Sequence, residues 1–323
     1  MRNIALSVIM PNYNYAHYIG EALEAILSQS FRPREVIVVD DGSTDDSVAV
    51  IEQFARRDSV VHLLRNGQNM GVVFAANRGL EHATGDYVYF AAADDKVLPG
   101  LFKKSMELLS QYPQAGLCCS DYFYMEAPKG VFREKKFHLS SKSRYFSATE
   151  LAELIRKRYF PIGGATIIMK RKALREIGGF DHNLGWQCDW FVDFVVGFRY
   201  GMCYIPETLA IARLHSKCNS LLHNRQSLIQ LYNLKHMLRL LMSNQYCDVF
   251  TFFQRAGILS RFKFQVLIKL FVSNDEYKIF MTPLLLCRSL WLKTLSTLSP
   301  ITPSLVKRLY NRIYYRQYTQ HKK

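Results

Sequence analysis

The sequence predicts an α/β protein: a mostly parallel sheet with helices on both faces, followed by a helical, basic carboxyl-terminal region. Three observations carry that prediction. Short β-branched runs alternate with segments of helical periodicity between Leu6 and Ala91. Hydrophobic residues make up 49% of the 323 and charged residues 21%, enough apolar surface for a sizeable core. Finally, the net charge of +15 is lopsided. Residues 1–223 hold 26 Lys and Arg against 24 Asp and Glu, whereas residues 224–323 hold 16 against 3, which sets a domain boundary near residue 223.

The elements follow in order. Leu6–Met10 is a short apolar run ending at Pro11 and reads as a buried strand. Ile19, Leu23, Ile26 and Leu27 recur at helical spacing, so Tyr18–Ser28 reads as a helix. Glu35–Val39 is a second buried strand. Ser43 and Asp46 stand in capping-box spacing before Val48, Ile51 and Phe54, which continue a second helix. Val60–Leu64, Val72–His82 and Tyr87–Ala91 then read as strand, helix and strand. Buried strands separated by helices of this length imply a parallel sheet covered on both faces.

Right-handed crossovers put the strand-to-helix loops on one edge of such a sheet, where ligands bind beyond the carboxyl ends of the strands. Three polar clusters fall there: Pro11-Asn12-Tyr13-Asn14, Asp40-Asp41-Gly42-Ser43 and Asp94-Asp95. Read alone, Asp94 and Asp95 are caps for the helix that Pro99 begins. Read together, the clusters form one acidic crevice. It lacks both the G-x-x-x-x-G-K-[ST] and the G-x-G-x-x-G phosphate loops. Two carboxylates instead suit a hard dication, Mg²⁺ or Mn²⁺, which completes its shell with phosphate oxygens and water. The expected ligand is a nucleoside diphosphate held through a metal at Asp95.

SVIMPNYNYAHYIGEAL, VIVVDDGSTDDS, NMGVVFAANRGLEHATGDYVYF and AAADD resemble, in that order, the nucleotide-binding half of family 2 glycosyltransferases of the GT-A fold. GGFDHNLGWQCDW and RLHSKCNS resemble their acceptor half, so the resemblance covers about the first 220 residues. It implies inverting transfer of a sugar from a nucleoside diphosphate, usually a UDP-sugar, to a hydroxyl of a glycan or lipid-linked acceptor, with a divalent metal. Pro11 and Tyr13 would lie against the base, Asp40 would accept from the uracil N–H, and Asp41 would border that pocket. Asn77 would join the nucleotide site, Asp94 would contact the ribose or sugar side, and Asp95 would be the metal ligand. Asp189 falls where the family places its catalytic base; otherwise it is a cap for a helix over 190–199. His215 would face the diphosphate or the metal. Trp186, Trp190 and Gly163-Gly164 would shape the acceptor pocket, plain core packing being the alternative. Two positions depart from the commoner family pattern. Ala92 replaces the first carboxylate of D-x-D-D, and Ala76 precedes Asn77 where many members carry Arg, a contact that Arg78 can supply instead.

From Asn224 onward apolar and cationic residues interleave, with Leu238, Leu241 and Met242 beside Lys235 and Arg239. Amphipathic basic helices of this kind lie in anionic membrane interfaces; a packing or homo-oligomerisation extension is the alternative. A nearly neutral first domain with no nucleic-acid motif argues against a nucleic-acid partner. Seven cysteines without a C-x-x-C pair fit a reducing compartment. The amino-terminal apolar run is too short for a signal peptide. The most apolar window, Ile279–Leu292, is interrupted by Arg288, so no spanning helix is expected. The location expected is the cytoplasm, peripheral at the inner face of the membrane, in surface-polysaccharide biosynthesis. Two rivals stand beside this reading: a sugar nucleotidyltransferase, which would need a basic Gly-rich triphosphate loop, and a non-catalytic sugar-nucleotide-binding partner protein.

Overall fold

The computed structural model describes residues 4–126, 129–158, 160, 162, 164–215 and 227–258, without the side chains of Trp186, Ser227 and Leu228. Strands β1 (Leu6–Asn12), β2 (Glu35–Asp40), β3 (Val61–Arg65) and β4 (Tyr87–Phe90) alternate with helices α1 (Ala16–Leu27), α2 (Ser47–Arg57) and α3 (Val72–His82). They pair in parallel in the order β3-β2-β1-β4. The sheet continues through β9 (Ile168–Lys170), antiparallel to both β4 and β6 (Leu117–Glu126), to β10 (Met202–Leu214), which runs parallel to β6. The short strand β5 (Lys96–Val97) closes that side. Strands β7 (Val131–Lys135) and β8 (Arg144–Phe146) pair with β6 and β10.

The sheet is covered on both faces because its strands are apolar on both. Val8, Met10, Val36 and Val38 join Ile19, Leu23 and Ile26 of α1 in one core. On the other face α3 lies so close to β1 and β2 that a Cβ on Gly79 would meet Ile9 Cγ2 at 2.4 Å and Val39 Cγ2 at 3.3 Å. Helix α4 (Leu101–Gln111) packs on β6 and β10, and α5 (Ala148–Lys157) on α7 (Cys188–Tyr200). A short helix α6 (Arg171–Glu176) and a 3₁₀ turn over His182–Gln187 lead into α7.

The expected capping box at Ser43 and Asp46 does not form. Asp46 caps α2 without a side-chain hydrogen bond, because the Ser43 hydroxyl accepts instead from Asn12 Nδ2 (3.1 Å) and from the Asn14 N–H (3.0 Å). Met1–Gln226 and Asn233–Ile258 form one compact unit; Ser227–Tyr232 belong with Leu259–Lys323 in a second. Within the first unit, the part of helix α8 (Ser227–Met242) from Asn233 onward buries Leu234, Met237, Leu238 and Leu241, and α9 (Cys247–Ala256) buries Val249 and Phe253. The apolar residues expected to face a membrane in α8 therefore pack inward, except Met242, which is exposed. The remaining basic segments of the carboxyl-terminal region lie outside the described residues. Among the described residues no helix is long and apolar enough to cross a membrane.

Candidate active site

The parallel strands β1, β2, β4, β6 and β10 all end at one edge of the sheet, and the expected clusters gather there. Their loops are stitched by short polar side chains. Asn12 Nδ2 donates to Asp40 Oδ1 (2.9 Å), and the Ser43 N–H to Asp40 Oδ2 (3.0 Å). Asn14, held at φ 58°, accepts from the N–H groups of Thr44 (2.8 Å) and Asp45 (3.3 Å). Asparagine tolerates that left-handed conformation better than most residues. Asp40 is buried, and each oxygen keeps a lone pair beyond the bond it accepts. Pro11 and the exposed Tyr13 flank it.

Asp41 uses its carboxylate differently. It accepts from Asn66 Nδ2 (2.6 Å) and from the N–H groups of Met70 (3.0 Å) and Gly71 (2.7 Å), so it ties β2 to the loop before α3. Gly42 follows at φ 77°, where a Cβ would sit 2.7 Å from the Gln68 carbonyl carbon. Asn77 is likewise occupied: Nδ2 donates to the Phe180 carbonyl (2.8 Å) and Oδ1 accepts the Phe180 N–H (2.9 Å). The Phe180 ring packs edge-on against Phe90 at the end of β4. Arg78 donates to Asn66 and to the Arg65 carbonyl, which anchors it in the same loop.

After β4 the chain passes exposed Ala92 and buried Ala93 into the turn of Asp94 and Asp95. These aspartates cap no helix; β5 follows at once and α4 starts at Leu101. Asp95 Oδ1 accepts the Arg213 N–H (2.9 Å), and Asp94 Oδ2 lies 2.8 Å from His215 Nε2, so the end of β10 holds both. Desolvation, then the neighbouring Asp94 charge, raise the Asp95 carboxyl to about 7. His215 is in turn set by α1: its ring stacks on Tyr18 and meets Tyr15 edge-on, while Arg213 lies over the Tyr18 ring and pairs with Glu21. Sequence reasoning placed Asn12 and Asn14 in a strand-end cluster without giving them a role, and it missed the roles of Tyr18 and Arg213. Two asparagines beside a strand end were the available signal for the first pair; Tyr18 and Arg213 had none.

The residues fit a divalent cation. Two adjacent carboxylates, with Asp95 raised by desolvation and by the Asp94 charge, are the donor set a hard dication relieves, and Mg²⁺ or Mn²⁺ needs only one or two of them. Among the described residues no group of three His, Cys, Asp or Glu side chains is arranged for a metal, and His215 is turned to Asp94.

Asp189 lies in the first turn of α7. Helix α7 ends at Tyr200, and β10 starts at the opposite edge, where Met202 pairs with Leu117; the first turn of α7 is therefore directed toward the site edge. The Asp189 carboxylate is open to solvent yet has protein on most sides, and desolvation lifts it above the usual carboxylate range. Its Oδ1 accepts the Trp190 N–H at 2.6 Å, and Trp190 meets Phe194 edge-on. The loop before it is pinned at Asp181, which caps the 3₁₀ turn through Asn183 and pairs with His236 Nε2 of α8 at 2.6 Å. Gly164, at φ 108°, lies against the Tyr122 ring, 2.9 Å from where a Cβ would be. Gly163 and the Trp186 side chain lie outside the described residues.

Solved structures share this architecture. TarS from S. aureus (residues 1–349, in complex with UDP-GlcNAc) superposes with a TM-score of 0.64 at 17% identity, over 86% of this chain and 78% of that one. The mannosyltransferase PcManGT from Pyrobaculum calidifontis, in complex with GDP-Man and Mn²⁺, superposes at 0.60 and 18% identity over 99% of this chain and 88% of that one. The fold is that of the GT-A glycosyltransferases. The model of Glycosyl transferase family 2 matches residues 7–178, more than half of the chain, and the chain belongs to that family. It is 37% identical over 122 residues to an uncharacterized glycosyltransferase of Escherichia coli (strain K12), YibD, and 36% identical over 106 residues to the putative teichuronic acid biosynthesis glycosyltransferase TuaG of Bacillus subtilis (strain 168). These matches cover 38% and 33% of this chain, and 35% and 42% of the relatives, well under two thirds of either.

Proposed function

We propose that the chain transfers a sugar from a nucleoside-diphosphate sugar, a UDP-sugar first among them, to a hydroxyl of a glycan or lipid-linked acceptor, with inversion. The observation that carries this is the pair Asp94-Asp95 at the end of β4, braced by β10 through the Arg213 N–H and His215. It stands on the edge where Asp40 ends β2, as a nucleotide diphosphate spanning those two strand ends would require. Pro11, Tyr13 and Asp40 would receive the base. Asp94 would meet the ribose or sugar, and Asp41 and Asn77 would serve by holding the loops around it.

Asp95 would hold Mn²⁺ or Mg²⁺, with His215 a ligand only if it leaves Asp94. When bound, such a cation offsets the charge that develops on the leaving diphosphate. The rest falls to the chain. Asp189, its proton affinity raised by desolvation, takes the proton from the acceptor hydroxyl as that oxygen attacks the anomeric carbon and the diphosphate departs. Trp186, Trp190 and Gly164 would border the acceptor. The solved neighbours with UDP-GlcNAc or GDP-Man and Mn²⁺, and a relative described in teichuronic acid biosynthesis, support a nucleotide-sugar donor and a surface-polysaccharide setting.

The basic region beyond residue 258 fits a peripheral position on an anionic membrane, or self-association. A hydrolysis screen over nucleotide sugars, with Mn²⁺, Mg²⁺ or EDTA, tests the enzymatic reading. Metal-dependent release of one nucleoside diphosphate is the expected result; no turnover of any donor, together with UDP binding that EDTA leaves unchanged, would overturn it.

A further inference from the structure

The exposed apolar residues are not scattered. Outside α8, the large ones among the described residues are Tyr13, Met70, Val72, Phe74, Val131 and Phe132. Single exposed hydrophobics need no explanation, but all six stand at the edge where the parallel strands end. Tyr13 belongs to the candidate donor site. Met70, Val72 and Phe74 lie between the end of β3 and the first turn of α3. Val131 and Phe132 open β7 opposite Glu126 and Met125; Glu126 is also level with Leu214, the residue before His215. The β6–β7 hairpin thus reaches the height of the Asp94–His215 pair and turns beyond it.

We propose that this edge, led by the β6–β7 hairpin, is a docking surface for a bilayer of anionic lipid. Val131 and Phe132 are 43% and 53% exposed, and Lys129, Arg133 and Lys136 are exposed beside them. Two acids stand among these cations, and both are engaged: Glu126 pairs with Arg133 and Glu134 with Lys136, each at 3.0 Å. Among the described residues, Lys129 and Lys135 have no acidic partner. An apolar tip ringed by cations matches the two layers of a membrane interface, where each Lys or Arg near anionic headgroups adds to the affinity. A soluble polyanion would use the cations but gain nothing from an exposed phenyl ring. Strand addition by another protein would use the open edge of β7, but it is disfavoured by the charges of Arg133, Glu134 and Lys135, three of the strand's five residues. Met70, Val72 and Phe74 give the far side of the same edge a second apolar contact. Docked this way, the site would open toward the lipid surface, which on the reading above is where a lipid-linked acceptor is carried.

The test uses the full chain with vesicles of phosphatidylglycerol and phosphatidylethanolamine, and with phosphatidylcholine vesicles as the neutral arm. The emission that Phe132→Trp adds to the parent spectrum should shift to the blue and become shielded from an aqueous quencher on the anionic vesicles alone. In cosedimentation, Val131→Ser with Phe132→Ser should weaken binding roughly tenfold, the equivalent of one partly buried aromatic side chain. Unshifted emission, or unweakened binding of the double variant, overturns the proposal. So does binding that soluble polyphosphate abolishes while Phe132→Trp stays in water. Nucleotide-sugar hydrolysis by the double variant in the absence of vesicles should equal that of the parent, so failure of the docking surface and failure of the enzymatic reading give different results.

Discussion

Two sets of carboxylates are treated differently: Asp40 and Asp41 at the end of β2, and Asp95, Asp189 and Asp193 after β4 and in α7. In the half built from β1 to β3 the strand-end aspartates are well supplied with donors. Asp40 accepts two hydrogen bonds and Asp41 three, from the end of β1 and from neighbouring loops. Beyond β4, Asp95 and two aspartates of α7 are undersupplied, although Asp121 accepts from the Phe137 N–H and the Tyr204 hydroxyl and Asp181 accepts from Asn183. Asp95 accepts one from the Arg213 N–H and Asp189 one from the Trp190 N–H, while Asp193, buried in α7, has none among the described residues. All three of these have raised pKa values, with desolvation the leading cause. The difference is physical. A carboxylate fed by donors from its own loops shapes those loops, whereas one left short of them has capacity for a further partner. Chemistry is expected in the second set, and rigidity in the first.

The sharpest break of that contrast is at Asp189. Asp189→Asn keeps the shape and removes the proton acceptor, so transfer should fall by roughly 10²–10⁴-fold, the usual worth of a positioned general base. UDP binding, measured by calorimetry, should stay close to that of the parent. Loss of binding instead would make Asp189 a structural residue and erase the distinction between the two sets.

Asp41→Ala tests the well-supplied side. It strands the Asn66 amide and the Met70 and Gly71 N–H groups, and an unfolding free energy lower by about 3 kcal/mol is expected from lost bonds to a charged, buried acceptor. Thermal or denaturant unfolding reads it. A variant as stable as the parent would show that this loop does not need the stitch. At Asp95 the expected effect is smaller and specific to the cation. Asp95→Asn should lower the Mn²⁺-dependent part of UDP affinity by about 10–100-fold and leave affinity in EDTA unchanged. Equal losses with and without metal would place Asp95 outside cation binding.

The same contrast explains what could be read from the chain without a structure. The half from β1 to β4 was legible because each strand is a β-branched run and each helix a clean 3.6-residue pattern. Val72–His82 came out as expected, and β1, β2 and β4 within two residues. Beyond β4 the chain was legible only in part: the helix read over 190–199 is α7, but the shortest elements lie below the length at which periodicity speaks. β5 has two residues and β9 three, and the 3₁₀ turn before α7 breaks at Gly185, with φ 54° and ψ −132°. Asp94 and Asp95 were placed at the site edge by topology, but their partners were hidden. Arg213 and His215 are more than 115 residues away, and no local pattern links them to a turn after β4. At Ser43 a familiar spacing misled, because the hydroxyl joins two loops and does not cap the helix behind it.

Asp193 offers the finest test of the contrast, because it is a buried acid in an otherwise apolar stretch of α7, one turn after Asp189. Desolvation, with the Asp189 charge adding to it, pushes its carboxyl well above the ordinary range, and the thiols of Cys119 and Cys188 are its other titratable neighbours. The sign follows from where each state releases its proton. Below the ordinary carboxylate pKa of about 3.9, folded and unfolded chains are both protonated and there is no penalty. As pH rises through that value the unfolded chain ionises while the folded one holds its proton, so folding becomes less favourable until the folded pKa is passed. Asn cannot ionise and escapes this. Asp193→Asn should therefore be more stable than the parent by roughly 1–2 kcal/mol at pH 8. The gain should shrink toward zero in the most acid buffer that the fold tolerates, as read by melting curves across pH. A gain that is the same at every pH, or largest in acid, would mean that Asp193 is ionised in the folded chain.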